Sequence, residues 1–498
     1  MPDIIGIIGT GTMGRGIAQI AAQAGYTVLL ADAREGAAPE ARSALAATFA
    51  KLAEKGKISV GEAEAATERL SAVAPDSPEL AACSLIVEAI VEEIGAKKAL
   101  FSSLESIISP GCILASNTSS LSITQIAAGC LQPERVAGLH FFNPVPLMKV
   151  VEVVEGLSTS PVTISRLMEF AKNLGHTPVR AKDTPGFIVN HAGRGYGPEA
   201  LRLLEEGIAD VPTIDRILVE QAGFRMGPFE LYDLVGLDIS AAVMETLYQQ
   251  FFHEPRYRPS PLVRSRVEAG LLGKKSGRGF YDYQDGRILR TSQSDSPACP
   301  PKPVWIPENE TTLRDLIASL KGDIDTGKTP SADSLLLIAP LGGDASGTAA
   351  RLKLDPRRIV AIDPLFGFDR HRVLMTTPAT LPDYRNAARA LFARDGKPVS
   401  LIHDSYGFVA QRVVANIVNI ASDIAQMGIA SPLDIDTAVR LGLGYPMGPL
   451  AWGDALGAAK ILAILDNLHG NTKDPRWRAS PWLKRRAELG LSLLSVEA

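Results

Sequence analysis

Cysteine is scarce: Cys83, Cys112, Cys130 and Cys299 are the whole complement of a 498-residue chain, and none falls in a CxxC spacing. That argues against a disulfide framework and against a structural zinc site, and it suits a reducing cytosol. Charge imbalance is also small, a net −4, so no general electrostatic pull draws the chain to nucleic acid or to an anionic membrane. No uninterrupted apolar run is long enough to cross a bilayer. A strand already begins at Asp3, which leaves no room for a signal peptide. The expectation is a soluble cytoplasmic protein without metal, nucleic-acid or membrane partners. Hydrophobic content of 46% and charged content of 21% are those of an ordinary globular protein, and 498 residues exceed a single core.

What is present starts at the amino terminus. Asp3–Ile8 is a short apolar run, as in a strand buried on both faces. It runs into Gly9-Thr10-Gly11-Thr12-Met13-Gly14 and then a helical pattern, and a second strand, residues 26–31, ends at Asp32. A bare GxGxxG is weak, but between strand and helix, with an acid about twenty residues on, it is the dinucleotide fingerprint. Gly9 permits the tight turn, Gly11 lets a pyrophosphate approach the backbone, and Gly14 lets helix and strand pack. The helix amino terminus then supplies N–H groups and positive dipole to the phosphates, with Thr12 and Met13 of the loop among the expected cofactor contacts. Asp32 would accept the ribose hydroxyls and repel a 2′-phosphate, favouring NAD over NADP, while Arg34 is of the type that serves a phosphate instead.

Three further strands, residues 84–89, 112–116 and 135–139, alternate with helical stretches and imply a parallel sheet with ligands at the strand carboxyl ends. Glu92, Lys97, the Ser116–Ser120 cluster, His140 and Asn143 all fall just past strand ends; Ser119 or Ser120 also reads as a helix cap. His140 closes one strand and Glu152 lies in the next, residues 149–154, so the two can meet across adjacent strands and orient an imidazole. Lys51, Lys55 and Lys57 form a small basic cluster, either a solvated helix face or a seat for an anionic substrate tail.

Five segments, GIIGTGTMGRGIA, VEAIVE, SNTSSL, GLHFFNPVPLMKVVEVV and KDTPGFIVN, occur in order, and together they resemble the NAD-dependent L-3-hydroxyacyl-CoA dehydrogenase family over residues 3 to about 285. The resemblance implies a Rossmann-like NAD-binding domain followed by an all-α domain. It implies His140 as general base with Glu152 orienting it, and Ser119 and Asn190 as ligands of the substrate oxygens. It also implies NAD contacts from Glu92, Lys97, Asn143 and Lys275. Thr48 and Lys55 match positions that touch CoA, with Thr where a serine is expected.

The chain then repeats itself. Asp183…Gly186-Phe187 recurs as Asp404…Gly407-Phe408, Met226-Gly227-Pro228 as Met447-Gly448-Pro449, and Asp233 as Asp454. Nearly constant offsets indicate a duplicated helical domain. Gln411 stands where Asn190 stood, and the Gly273–Tyr281 tail lacks a clear counterpart, so the second copy reads as structural. Residues 287–306, with a lone Trp305, read as a linker. Two strands, residues 334–339 and 358–362, flank a glycine-bearing loop without GxGxxG spacing and read as a degenerate α/β segment. The expected domains are 1–183, 184–285, 286–397 and 398–498, with the second helical copy packing on the first about a pseudo-twofold axis.

The leading expectation is NAD-dependent oxidation of an L-3-hydroxyacyl-CoA to the 3-oxoacyl-CoA, with 3-hydroxybutyryl-CoA or the dicarboxylic 3-hydroxyadipyl-CoA as substrate. For the latter, Arg194, four residues past Asn190, is a candidate cation. Alternatives are a sugar-acid dehydrogenase of the lambda-crystallin-like branch and a non-catalytic NAD-binding scaffold. No hydratase module precedes residue 1, so partner hydratase and thiolase would be separate chains; a homo-oligomer is left open.

Overall fold

The computed structural model describes residues 3–289 and 299–497. The chain forms two compact units, one built from the chain up to His191 together with Met427–Leu443, the other from Ala192–Gln426 and the chain from Gly444 on.

The first unit holds eight strands: β1 (Ile4–Ile8), β2 (Thr27–Ala31), β3 (Leu70–Ala72), β4 (Leu85–Glu88), β5 (Ile113–Ser116), β6 (Val136–Phe141), β7 (Val150–Glu155) and β8 (Thr177–Lys182). Their order in one sheet is β3-β2-β1-β4-β5-β6-β7-β8. All neighbours run parallel except β6 and β7, which are antiparallel and place His140 opposite Glu152. The expected parallel sheet is therefore mixed at this one pair: only residues 142–149 separate the two strands, too few for a crossover helix. Strand interiors such as Ile5, Ile7, Val28, Leu30 and Val87 are buried against α1 (Thr12–Gln23), α2 (Ala37–Glu54) and their neighbours. Two more helices matter to the site, α3 (Val60–Glu68) packing on α2 and α4 (Ile94–Glu105) following β4.

Met427–Leu443 belongs to the second helical copy in sequence, yet it lies against the β7–β8 edge of this sheet. The N–H of Lys182 donates to the Ile429 carbonyl at 2.8 Å. An open edge strand thereby receives a partner.

In the second unit, β9 (Tyr283–Gln284) and β10 (Arg287–Ile288) make a small hairpin. A further sheet has the order β12-β11-β13-β14-β15-β16, from β11 (Val304–Trp305), β12 (Ile324–Asp325), β13 (Leu335–Ile338), β14 (Ile359–Ile362), β15 (Arg372–Thr376) and β16 (Val399–Ile402). The linker reading of residues 287–306 needs correction: Trp305 is in a strand between two parallel neighbours, and Val304 is in the core. Residues 290–298 of that stretch lie outside the described residues.

This second sheet repeats the last strands of the first. Gly138 opposite Val154 recurs as Val360 opposite Thr376, each 222 residues further on, and Val150 beside Thr177 recurs as Arg372 beside Val399 with the same shift. The antiparallel pair recurs with it. Asp183 accepts hydrogen bonds from Ser122 and the N–H groups of Ile123 and Thr124; Asp404 accepts them from the N–H groups of Ala345 and Ser346 and from the Ser346 hydroxyl. Missing is the glycine-loop half. The α/β segment is a duplicated carboxyl-terminal half of the nucleotide fold.

The helical copies also pack together within the second unit. Arg412 of the second copy reaches Glu199 and Glu206 of the first, and Arg256 of the first pairs with Asp423 of the second. The first copy closes the second sheet as Ile429 closes the first: His403 N–H donates to the Ile208 carbonyl at 2.9 Å. The Gly273–Tyr281 tail does have a partial counterpart. Asp233 is clasped by the N–H groups of Phe280 and Tyr281, and Asp454 by the Ser492 hydroxyl and the Leu493 N–H. Among the described residues no helix is long and apolar enough to cross a membrane.

Candidate active site

The glycine loop has the shape its spacing predicts. Gly9 sits at φ +97°, and a side chain there would strike the Ala89 carbonyl. A methyl on Gly14 would strike the carbonyl of Gly9, whereas one on Gly11 would meet no protein atom. That open side, together with an α1 amino terminus lacking any side-chain cap, leaves backbone N–H groups for a diphosphate. Thr12 and Met13 form the first turn of α1. The residues present fit a dinucleotide.

Asp32 is tied into this loop. One oxygen accepts from Thr10 N–H at 2.7 Å and from the Thr10 hydroxyl at 2.8 Å; the other accepts from Arg34 N–H at 2.9 Å. Burial pushes its carboxyl up, but these hydrogen bonds outweigh burial and hold it below the usual range. Each oxygen keeps acceptor capacity beyond these bonds. Arg34 points its guanidinium at Glu40, 2.7 Å away.

At the far side of the sheet, His140 Nδ1 lies 2.6 Å from Glu152 Oε2. Glu152 is fully buried, and its other oxygen accepts the N–H groups of Ile188 and Val189 at 2.9 and 2.8 Å. Three contacts thus fix the carboxylate, and the carboxylate fixes the imidazole. The His140 ring lies 4.4 Å from that of Phe142 and 5.8 Å from that of Phe187. Its Nε2 has no hydrogen-bond partner among the described residues, which leaves that nitrogen for a substrate proton.

Val189 begins α6 (Val189–Ala192), whose next residue is Asn190. The Asn190 amide reaches the Ser119 carbonyl at 3.4 Å. Ser119 is exposed past the end of β5, and its N–H and hydroxyl both face Glu92 Oε1 at 3.0 and 3.4 Å. The fold therefore links His140, Glu152, Asn190, Ser119 and Glu92 through successive contacts. Helix capping falls to neither Ser119 nor Ser120 but to Ser122, which accepts the Gln125 N–H at the start of α5 (Ile123–Ala127).

Glu92 gathers donors. Thr118 Oγ1, Ser120 N–H and Ser120 Oγ approach the same oxygen at 2.6, 3.1 and 2.9 Å. Burial raises its carboxyl, yet the bonds from Thr118 and Ser120 and the charge of Lys97 leave it below the usual range. Lys97 is 1% exposed, its ammonium 2.5 Å from Glu88 and 3.4 Å from Glu92. It stands behind Glu92 rather than at the surface.

Asn143 is exposed in the turn between β6 and β7. A methyl on Gly16 would come within 2.8 Å of Val145, so the glycine-loop helix and this turn are in close contact. Thr48 is on α2 with its hydroxyl on the Ala44 carbonyl, and Lys55 is exposed at the end of the same helix. Lys275 and Arg194 belong to the second unit. Lys275 pairs with Asp238 at 2.6 and 2.7 Å on a tail that Asp233 and Asp215 hold. Arg194 is half-buried near Tyr232 and Tyr445, and burial lowers its guanidinium pKa.

In the repeat, Ile362 and Leu374 occupy the cross-strand positions of His140 and Glu152. Gln411, at the position of Asn190, bonds the Gly342 N–H, the Pro340 carbonyl and Asp363. The second copy has no dyad and its polar group is consumed internally. Glu88, Phe142 and Phe187 were not singled out by sequence, and Asn117 only as part of the Ser116–Ser120 cluster; Asn117 accepts the Phe141 N–H next to His140. Their signal is only position: each lies within one of the recognisable segments.

Comparison with known proteins follows this geometry. Residues 4–184 match the 3-hydroxyacyl-CoA dehydrogenase, NAD binding domain, and residues 186–283 and again 407–493 match the 3-hydroxyacyl-CoA dehydrogenase, C-terminal domain. The chain is 40% identical to the 3-hydroxyadipyl-CoA dehydrogenase of Escherichia coli, covering 97% of each. It is 43% identical to a probable 3-hydroxybutyryl-CoA dehydrogenase of Bacillus subtilis, over 56% of this chain and 96% of that one. A crystal structure described as 3-hydroxybutyryl-CoA dehydrogenase from Escherichia coli superposes with a TM-score of 0.85 at 38% identity, covering 98% of this chain and 99% of that one.

Proposed function

The chain belongs to the 3-hydroxyacyl-CoA dehydrogenase family, and from that premise we propose that His140, oriented by Glu152, is the general base in the NAD-dependent oxidation of a short L-3-hydroxyacyl-CoA. It is an oxidoreductase that uses NAD. The observation that carries the dyad is the 2.6 Å contact between His140 Nδ1 and a carboxylate held by two backbone N–H groups.

With Nδ1–H donated to Glu152, Nε2 carries the lone pair and takes the proton of the 3-hydroxyl. Bound NAD supplies the acceptor for the C3 hydride. Glu152 then stabilises the imidazolium, and the two phenylalanine rings beside His140 limit water at the ring. Ser119 and Asn190 hold the substrate oxygens, and their mutual contact fixes their spacing. Glu92 and Asn143, with Lys97 behind Glu92, line the nicotinamide end. Thr48 and Lys55 serve CoA. Asp32 selects NAD, supported by Arg34 being engaged by Glu40.

For the acyl group, the reading is the dicarboxylic 3-hydroxyadipyl-CoA, supported by a relative named for it that matches the chain nearly end to end. Initial rates with 3-hydroxyadipyl-CoA and 3-hydroxybutyryl-CoA, each with NAD⁺, test this. A higher kcat/KM for the dicarboxylate supports it, and a preference for the four-carbon substrate contradicts it.

A further inference from the structure

We propose that Glu88, which has no role in the reading above, is a positioning residue for Ser119; the proposal rests on the reading of Ser119 as a substrate ligand. Glu88 ends β4 and is fully buried. A bare carboxylate at such a place is costly, so its partners define what it does. Oε1 accepts the Ile90 N–H at 2.7 Å and the Lys97 ammonium at 2.5 Å; Oε2 accepts the Ser116 hydroxyl at 2.6 Å. Ser116 Oγ in turn accepts the Thr118 N–H at 3.2 Å.

The turn from Asn117 to Ser120 is neither helix nor strand. The Asn117 N–H donates to the Glu88 carbonyl at 2.8 Å, and the N–H groups that follow go to side chains: Thr118 to Ser116, Ser119 and Ser120 to Glu92. Two carboxylates therefore shape the turn, Glu88 through Ser116 and Glu92 directly. Lys97 is the cation they share, 2.5 Å from one and 3.4 Å from the other. Remove the charge of Glu88, and Lys97 is left with Glu92 alone. The ammonium then competes for the carboxylate that holds Ser119, and the turn loses its fixed shape.

The test is a double-mutant cycle in the full-length protein, with Glu88→Gln, Ser119→Ala and both together. The readings are kcat and KM for acetoacetyl-CoA with NADH, and the NADH Kd by fluorescence. Glu88→Gln is expected to lower kcat/KM for acetoacetyl-CoA about 10- to 100-fold, with NADH Kd changed less than about threefold. In the Ser119→Ala background the same change is expected to cost less than about threefold, because the residue it acts through is gone. An equal loss in both backgrounds, no loss, or a loss confined to NADH binding overturns the proposal. Should Glu88→Gln not fold, Ser116→Ala removes the same link with the buried charges still paired, and its loss must also vanish in Ser119→Ala. A wild-type enzyme inactive on acetoacetyl-CoA defeats the functional reading itself, whereas an active wild type with an additive cycle defeats only the role of Glu88.

Discussion

At the scale of single residues, the site depends on a register. β6 and β7 pair so that His140 faces Glu152, with Leu139 opposite Val153 and Phe141 opposite Val151. A slip of one residue would turn every side chain to the other face and part the dyad. His140→Gln removes the base and is expected to lower kcat about 100- to 10,000-fold, with NADH affinity unchanged in a fluorescence titration. Glu152→Gln is a subtler probe. The amide still accepts the two backbone N–H groups but donates to Nδ1, which forces the proton onto Nε2 and silences the base; kcat should fall about 1,000- to 10,000-fold with little change in Tm. Both residues were legible in the sequence because His140 closes one readable strand and Glu152 lies in the next, with a short proline-bearing turn between them. Glu88 was not. Inside VEAIVE it reads as the polar end of a strand, and only the fold brings Lys97 and Ser116 to it.

At the scale of elements, the repeated half shows what happens when a site is given up. Ile362 and Leu374 fill the dyad positions, and Asp363 next to them is buried between Gln411 and Gln221. Burial pushes the Asp363 carboxyl up to about 6, against the hydrogen bonds from the Leu365 N–H and the two glutamines. A carboxyl raised on folding binds its proton more tightly in the native state. Its contribution is thus fully present below pH 3.8 and is lost as pH rises through about 6. Asp363→Asn should remove this loss and stabilise the protein by about 1–3 kcal/mol at pH 8, and by little at pH 4, in urea titrations at the two pH values. Lower stability at pH 8 would show that the charge is needed. The repeat of the helices was legible from recurring Asp, Gly and Pro positions. The repeat of the strands was not, because hydrophobic strands keep their pattern while losing their identity, and only paired registers reveal the common shift. The short edge strand β3 gave no sequence signal at all, and β8 carries Pro178, which is tolerated at a strand end but masks the alternation.

At the scale of the whole molecule, the second half serves the first. Met427–Leu443 covers the β7–β8 edge, and Val189 and Val150 pack against Gly442. A chain ended at residue 285 leaves that edge bare, so it is expected to self-associate or precipitate, as read by light scattering after gel filtration; a stable monomer would contradict this. The two helical copies are joined by a buried charge cluster: Glu199 is fully buried with Arg412 2.6 Å away and Arg476 and Arg202 at 3.5 and 3.6 Å. Glu199→Ala leaves buried Arg202 without its carboxylate and Arg412 with Glu206 alone, and should cost about 3–5 kcal/mol in denaturant unfolding. The packing of one copy on the other was expected from the duplication. The exchange of edge cover was not legible, because it joins residues far apart in the chain, Lys182 with Ile429 and His403 with Ile208.

The most direct test is the rate of NADH oxidation with acetoacetyl-CoA, measured for wild type and His140→Gln alongside their NADH affinities. The dyad account predicts turnover by the wild type, a loss of at least about 100-fold in the variant, and equal NADH binding. An inactive wild type, or a variant that turns over normally, would contradict it.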